Sequence, residues 1–501
     1  MYRLSLYLFL FLYSLNGVSQ LDSMHYLPPL HSRANTNIAD HYLYLSTPES
    51  TPFQVTITNG AGTVLSTETI SNGNPAMYTV GNGQLAGSPL FIPRADVYTT
   101  LTDKGLIVEG DYDFFAEIRV QANAQATSFT GKGRAAGGKI FRLGGFPQVN
   151  NGSDQNNFTV GIMSLEDNNT IDVTDYTPGV TFVEPVGTTS PASLTINLDA
   201  GETFVLTGYS DVPENLDGIL GALVESTGNI VISNGNLTGT VHPTSSSRDN
   251  GADQIVPIKQ LDKNHVLIEG NGSPEMERPF VIAHSNNTDV FINGAATPIA
   301  TINSGEYFVV PNTNYQGTGH KNMFIQTSNP AYVYQALAGS TSPANGDLIL
   351  VPPIHCRLSN TIDLIPDVDK INNSTFNGAI FITTVAGANV TINGVAQGGA
   401  EPVAGGNYET YKVTGLSGNQ VISSTGSIMV GLFGYSGAVS FSGYYSGFAD
   451  TPKGDLTIFN DEICQNEVDS LMFIGADGTA PYTFSYTINE DTLNATSLEI
   501  Q

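Results

Sequence analysis

The stretch from Pro279 to Val310 reads PFVIAHSNNTDVFINGAATPIATINSGEYFVV, and its pattern decides the fold. It holds two apolar, β-branched runs, a turn, and a third run opened by Ser304-Gly305-Glu306. Apolar and polar residues alternate over four to eight positions, the pattern of a half-buried strand. The chain repeats this phrase with variation. Phe158–Leu206 reads FTVGIMSLEDNNTIDVT…INLDAGETFVL, and Ala379–Val413 reads AIFITTVAGANVTING…VAGGNYETYKV. Tyr42–Ile57, YLYLSTPESTPFQVTI, is a weaker first copy. Each copy is followed by a segment that reads as a second hairpin: Ala222–Ser233, Met323–Leu337 and Val421–Phe433, with Leu106–Val120 in that place in the first. Self-similarity at a fixed spacing means one supersecondary unit used several times.

Turn signals punctuate the runs at Asn59-Gly60, Asp167-Asn168-Asn169, Asn234-Gly235, Asn293-Gly294 and Asn393-Gly394. Asn-Gly accepts positive φ at both central positions and so suits tight hairpins. No helix-length periodicity follows residue 20, and tryptophan is absent, which leaves Phe and Tyr to fill the core. The expected class is all-β. Each unit shows about six short strands, enough to close a two-sheet sandwich. Tandem sandwiches in one large N-terminal block are the favoured arrangement. A β-propeller is the alternative, at two blades per unit because a blade takes about 40–50 residues. Strand exchange between neighbouring units is a third. The expected core face includes Phe280, Ile282, Val290, Ile292, Phe308 and Val310.

With 501 residues, 40% apolar and only 13% charged, the chain can bury several cores. Its formal net charge of −28 argues against nucleic acid and anionic lipid surfaces, which demand Lys and Arg. Otherwise the acidic balance speaks to solubility. The N-terminus carries Arg3, then LSLYLFLFLYSL, then Gly17-Val18-Ser19. That apolar run is too short to span a bilayer as a helix. It reads as a secretory signal over residues 1–19, cut near Gln20, which makes the mature chain exported with no membrane insertion. Two cysteines, Cys356 and Cys464, do not make a disulfide scaffold, and Cys464 is expected to pair outside this sequence.

Candidate chemistry is sparse. Gly201-Glu202 and Gly305-Glu306 each precede an aromatic strand, where glycine supplies a bend and glutamate bonds local amides or faces water. His242, His265, His284, His320 and His355 show no zinc spacing. The pairs Asp111/Asp113, Glu166/Asp167 and Asp367/Asp369 supply too few oxygens for calcium, which wants six to eight. Thr244–Ser247 beside Arg248 reads as a solvated loop, and no nucleophile elbow or phosphate loop is present. No catalytic residue, cofactor or metal site is assigned. Tyr444-Tyr445 could stack on sugars, though core packing competes.

Between the repeats lie Gly131–Phe146 (GKGRAAGGKIFRLGGF), Asp249–Pro257 (DNGADQIVP), Asp347–Cys356 (DLILVPPIHC) and Ser440–Phe448 (SFSGYYSGF). His25–Leu30 (HYLPPL), GKGRAAGGKIFRLGGF, DQIVP with the VLIEGNG after it, and the closing GYYSGF resemble the N-terminal region of large secreted Bacteroidota surface proteins. Those proteins carry an IgGFc-binding-like domain and usually end in a gliding-motility-associated sorting domain used by type IX secretion. The resemblance covers about residues 24–450. Residues 455–501, with Cys464 and GADGTAPYTFSYTIN, resemble the start of an Ig-like, PKD-type adhesin repeat, incomplete at this length. The resemblance implies a non-catalytic extracellular binding or adhesion module whose partner is a protein or glycan. The alternatives are a passive spacer for distal adhesin repeats and a secreted carbohydrate-active enzyme, which needs two carboxylates facing one cleft.

Overall fold

A computed structural model describes residues 20–31, 38, 40–82, 87–122, 125–147, 156–244, 248–339, 346–354 and 358–448, and in the C-terminal stretch 453–458, 471–476, 483–488 and 491–496. The signal segment, His355, Cys356 and Cys464 lie outside the described residues. The chain forms two bodies, Val18–Ala449 and a smaller one that includes Asp450–Gln501. In the smaller body Lys453–Ile458 pairs antiparallel with Leu471–Ala476, and Thr483–Ile488 with Asp491–Thr496.

The larger body is all-β and contains the four expected repeats. Repeat 1 comprises β1 (Asp22–Leu27), β2 (Asp40–Ser46), β3 (Phe53–Asn59), β4 (Val64–Ile70), β5 (Ala76–Asn82), β6 (Leu106–Ala122) and β7 (Gln125–Thr130). Repeat 2 comprises β8 (Gly138–Arg142), β9 (Asn156–Ser164), β10 (Asn169–Thr174), β11 (Leu194–Leu198), β12 (Thr203–Tyr209), β13 (Leu223–Gly239) and β14 (Asp249–Ile255). Repeat 3 comprises β15 (Asn264–Ile268), β16 (Phe280–Ala283), β17 (Thr288–Ile292), β18 (Ala300–Ile302), β19 (Tyr307–Val309), β20 (Asn322–Thr327), β21 (Ala331–Leu337) and β22 (Asp347–Leu350). Repeat 4 comprises β23 (Thr361–Ile365), β24 (Asn377–Val385), β25 (Val390–Ile392), β26 (Val395–Ala396), β27 (Tyr408–Leu416), β28 (Gln420–Ser424), β29 (Ile428–Ser436) and β30 (Val439–Tyr444).

One topology runs through all four. Repeat 3 forms two four-stranded sheets, β15-β20-β17-β18 and β19-β16-β21-β22, and repeat 4 forms β23-β28-β25-β26 and a five-stranded sheet, β27-β24-β29-β30 with Glu401–Pro402 added at the β27 edge. In repeats 1 and 2 the same strands occur, but β6 and β13 each run through both sheets as one 17-residue strand. The orders are then β4-β3-β6-β2-β5 and β11-β10-β13-β9-β12, with β1 and β7, or β8 and β14, on the two halves of the long strand. These sheets interleave strands distant in sequence rather than forming meanders, so no closed propeller is built.

The segments read as second hairpins are not hairpins. In repeats 3 and 4 their two strands do not pair with each other; one joins the second apolar run and the other joins the first. Phe280 faces Tyr334 while Ile292 faces Ile325. They are corners where the chain passes between sheets. In repeat 3 the corner holds Pro330, whose missing N–H interrupts a ladder; in repeat 2 Thr227-Gly228-Asn229 stays extended and the strand continues. Among the true hairpins are those with tips at Asn293-Gly294 (φ 52 and 72) and Asn393-Gly394 (φ 49 and 75). Asn234-Gly235, expected as a turn, sits inside β13. A Cβ on Gly235 would lie 2.1 Å from the Gly251 carbonyl oxygen, so the glycine is there for close approach of β14.

The cores explain the near-continuous apolar runs. All four residues of β16 and all seven of β21 are buried, as in a sheet covered on both faces. One face of β16 and β21 (Phe280, Ile282, Tyr332, Tyr334) joins the core of repeat 2. The other (Val281, Val333) packs with Val290, Ile292, Ile325 and the Phe381 and Phe433 rings of repeat 4. Repeat 4 in turn receives Tyr42, Tyr44 and Phe115 of repeat 1, and repeat 1 receives Ala252 of repeat 2. The sandwiches therefore share cores in a closed circuit. Thr100–Leu101 of repeat 1 also pairs with Thr203–Phe204 of repeat 2, a short strand exchange. Ile292 is 6% exposed, so Ile292→Asp is expected to cost about 3 kcal/mol or more by burying an unpaired charge, read as a lowered urea midpoint.

Candidate functional site

Three of the interstitial phrases hold the last strands of repeats 2, 3 and 4, β14, β22 and β30, and the first, Gly131–Phe146, follows β7; these last strands pack together. Their side chains form a buried polar junction. Asp347 on β22 accepts from Thr127 Oγ1 (2.5 Å) and the Ser128 N–H (3.2 Å) on β7, from the Ser442 N–H (2.6 Å) and hydroxyl (3.0 Å) on β30, and from the Leu348 N–H (2.9 Å). Burial pushes its pKa well above the ordinary carboxylate range, and the hydrogen bonds from Thr127, Ser128, Ser442 and Leu348 pull the other way. On the adjoining edge Lys132 Nζ lies 2.7 Å from Asp253 Oδ1, while Asp253 Oδ2 accepts the Leu350 N–H at 3.0 Å.

A second centre ties repeat 1 to repeat 4. Arg119 is fully buried and spends all five N–H donors: two on Glu117 Oε2 (2.9 and 2.7 Å), and three on the carbonyls of Pro366 (2.8 Å), Asp367 (2.7 Å) and Lys370 (2.9 Å). Its guanidinium lies 4.1 Å from the Tyr44 ring centroid and 5.2 Å from that of Phe441. Burial works against its charge, but Glu117, Tyr445 and Tyr44 together outweigh this and hold the guanidinium more firmly protonated than usual. Tyr445 donates its hydroxyl to Glu117 Oε2. Tyr444 and Tyr445 are both buried, so they are core rings and not a sugar-stacking loop.

The other residues singled out from sequence are dispersed. Glu202 and Glu306 accept the N–H groups of Asp199 (2.9 Å) and Asn303 (2.7 Å), after Gly201 and Gly305 at φ 81. Glu166 Oε1 accepts from Asn229 twice at 2.8 Å, Asp167 holds the Ala200 N–H, and Asp369 holds the Gly418 N–H. Burial pushes Asp113 up, with Asp22 and Glu49 adding to it. His320 bonds Thr410 Oγ1 at 2.9 Å, His242 Nδ1 accepts the Thr244 N–H, and burial lowers His284. Among the described residues no three of His, Cys, Asp and Glu come together in a way that could hold a metal ion.

What the sequence reading missed is the junction: Glu117, Arg119, Lys132, Asp253 and Asp347. A signal existed. In a chain with few charges, Glu117 and Arg119 sit inside an apolar strand and Asp347 opens one, where an ion must be paired; Lys132 and Asp253 lie in polar, glycine-rich phrases without that signal. The junction is buried, whereas the first sheets turn polar faces outward. These are hydroxyl and carboxylate ladders: Thr195 to Asp172 (2.6 Å) in repeat 2, Thr301 to Asp289 (2.5 Å) in repeat 3, and Thr391 with Ser423 (2.7 Å) in repeat 4. Exposed Val64, Ile299 and Val395 stand on or beside the tips of repeats 1, 3 and 4.

Two buried sets give opposite pH signs. Burial pushes His31 and His41 down to about 4 and His265 to about 3. Unfolded, each takes a proton near 6.5, so their contribution is present above 6.5 and is lost as pH falls toward 4. That loss is roughly 3 kcal/mol per histidine. Melting temperature should fall steeply across that window. Glu277 is pushed by burial up to about 7, despite accepting the Gly270 (3.0 Å) and Gly272 (2.8 Å) N–H groups. Its contribution is present below 4.5 and lost as pH rises through 7. Glu277→Gln should flatten stability between those values, read by denaturant titration at several pH values.

The chain belongs to the IgGFc binding protein family, whose model matches residues 128–434. That span runs from the second residue beyond Ala126 in β7, through repeats 2 and 3, into β29 of repeat 4. No curated protein matches. Among solved structures, the BSP domain of a biofilm associated protein aligns at 10% identity over 85% of this chain and 95% of that one. Its TM-score of 0.15 is too low to carry an argument. The family is a binding family, which makes this body a binding-type domain of extracellular character; among the described residues no helix is long and apolar enough to cross a membrane.

Proposed function

We propose that the block of about residues 24–450 is a non-catalytic binding head of a secreted cell-surface protein, exported by the segment 1–19 and followed from 455 by an adhesin repeat. Its ligand is a glycoprotein or glycan, reached through the outward ladders. The Bacteroidota resemblance adds delivery by type IX secretion to this reading. The observation that carries it concerns the ends of the block. The Gln20 N–H donates to the Phe448 carbonyl at 2.9 Å, and Gln20 Nε2 to the Tyr444 carbonyl at 3.0 Å. Chain enters and leaves at one point. A spacer separates its ends, whereas a domain with joined ends adds little reach and stands off the line of the chain. This favours display of a surface over the spacer alternative.

The test is binding of the full chain to immobilised antibody Fc, to mucin-type glycoproteins and to a glycan array. Saturable binding to at least one, weakened by Asp172→Ala with Asp289→Ala, is the expected result. Silence across all three, with shortened reach of the surface protein when residues 24–450 are deleted, would establish the spacer instead.

A further inference from the structure

We propose that Lys132 and Asp253 become joined by an amide bond between Nζ and Cγ, a covalent staple between repeats 1 and 2. This rests on the junction geometry alone and is independent of any ligand. Both residues are buried, at 2% and 3% exposure, and Nζ sits 2.7 Å from Oδ1. Beyond this contact, Nζ has only the Thr130 carbonyl at 3.4 Å and the Phe448 ring, 5.7 Å to its centroid. An ammonium so placed lacks the three good acceptors that Lys412 finds in the Glu269 and Gly270 carbonyls and Asn271 Oδ1. Burial lowers the Lys132 amine and raises the Asp253 carboxyl from their ordinary values, which favours passage of a proton from Nζ to Oδ1.

The neutral pair is an amine held against a carboxylic acid. Nζ attacks Cγ and the C–N bond forms. Charge then develops on Oδ2, where the Leu350 N–H already points, as an oxyanion donor should. A second proton leaves nitrogen for Oδ1, the Cγ–Oδ1 bond breaks, and water departs; Oδ2 recovers its double bond. Two of the three ammonium protons leave with Oδ1, so atoms and charge balance with no co-reactant. The buried Tyr334 hydroxyl, which has no hydrogen-bond partner and feels the Asp253 charge, is a further protic group for this transfer. Proximity replaces a bimolecular encounter. Condensation removes two buried charges whose desolvation is otherwise expensive, and exclusion of water protects the product.

The experiment is mass spectrometry of the purified, folded full chain, followed by tryptic mapping. The expected mass is lower than that of the sequence by one water, once the N-terminus present is allowed for. Lys132 should resist trypsin and appear in a branched peptide with Asp253. Lys132→Met, folded by circular dichroism, should lose both features. Linear peptides with free Lys132 and intact Asp253 would overturn the proposal. So would a water loss confined to the Asp253 peptide, which is a succinimide. Should the variant fail to fold, the wild-type map decides alone.

Discussion

Arg119→Ala is expected to lower stability by about 3–5 kcal/mol, the cost of leaving one partner of a buried ion pair unpaired. The reasoning starts from Glu117. Its Oε2 accepts two bonds from Arg119 and one from Tyr445, and Oε1 has no hydrogen-bond partner among the described residues. Without the guanidinium, a carboxylate at zero exposure faces only a phenol. The carbonyls of Pro366, Asp367 and Lys370 lose the guanidinium N–H groups at the same time, with Asp367 keeping the Lys370 N–H. Tyr44 and Phe441 lose the cation between their rings. Arg119→Lys should recover little of this, because an ammonium offers three donors where five are used and cannot lie flat between rings. Arg119→Met with Glu117→Leu is the informative comparison: removing both charges should cost much less than removing one. Urea unfolding followed by circular dichroism measures all three. Equal losses for the single and double variants would show that packing, and not the unpaired carboxylate, sets the cost.

Much of the fold was legible in the sequence. Alternation in Thr288–Ile292 marks a strand with one wet face, and its outward Asp289 and Phe291 are the less buried positions. The Asn-Gly tips at 293 and 393 follow from backbone chemistry, since few residues other than Asn and Gly accept two successive positive φ values cheaply. Pairing between distant segments was not legible. Whether Thr327-Ser328-Asn329-Pro330-Ala331 turns a hairpin or a corner depends on which strand lies alongside, and local sequence carries no record of that. For the same reason Asn234-Gly235 reads as a turn but serves as a gap for Gly251 and Ala252. The junction was hidden differently. Lys132, Asp253 and Asp347 stand more than ninety positions apart in order along the chain, and only the circuit of shared cores brings them together. The place of Asp347 at the head of an apolar run was the one trace, and it pointed to pairing without naming the partner; the polar phrases around Lys132 and Asp253 left none.

Asp347→Leu is expected to cost about 3–6 kcal/mol, because each buried donor stranded by the change carries about 1–3 kcal/mol. The side chain volumes are close, so little of this is cavity. The stranded groups are backbone: the N–H of Ser128, of Ser442 and of Leu348, all buried and unable to turn toward water. The hydroxyls of Thr127 and Ser442 can rotate to other acceptors, as Ser128 Oγ already does toward the Ser442 carbonyl at 2.7 Å. Asp347→Asn keeps the shape but turns an amide donor toward donors, so it should fall between wild type and leucine. The loss has a location as well as a size. Asp347 joins β7, β22 and β30, which belong to three repeats, so unfolding should separate into more than one transition when it is removed. Amide exchange at Ser128 and Ser442 should accelerate together. Asp289→Leu, on an outward ladder, provides the contrast: its lost bond to Thr301 is exposed to solvent and should move stability by no more than about 0.5 kcal/mol. If the two aspartates cost the same, the central carboxylate is not what couples the repeats, and the shared apolar cores alone must hold the circuit closed.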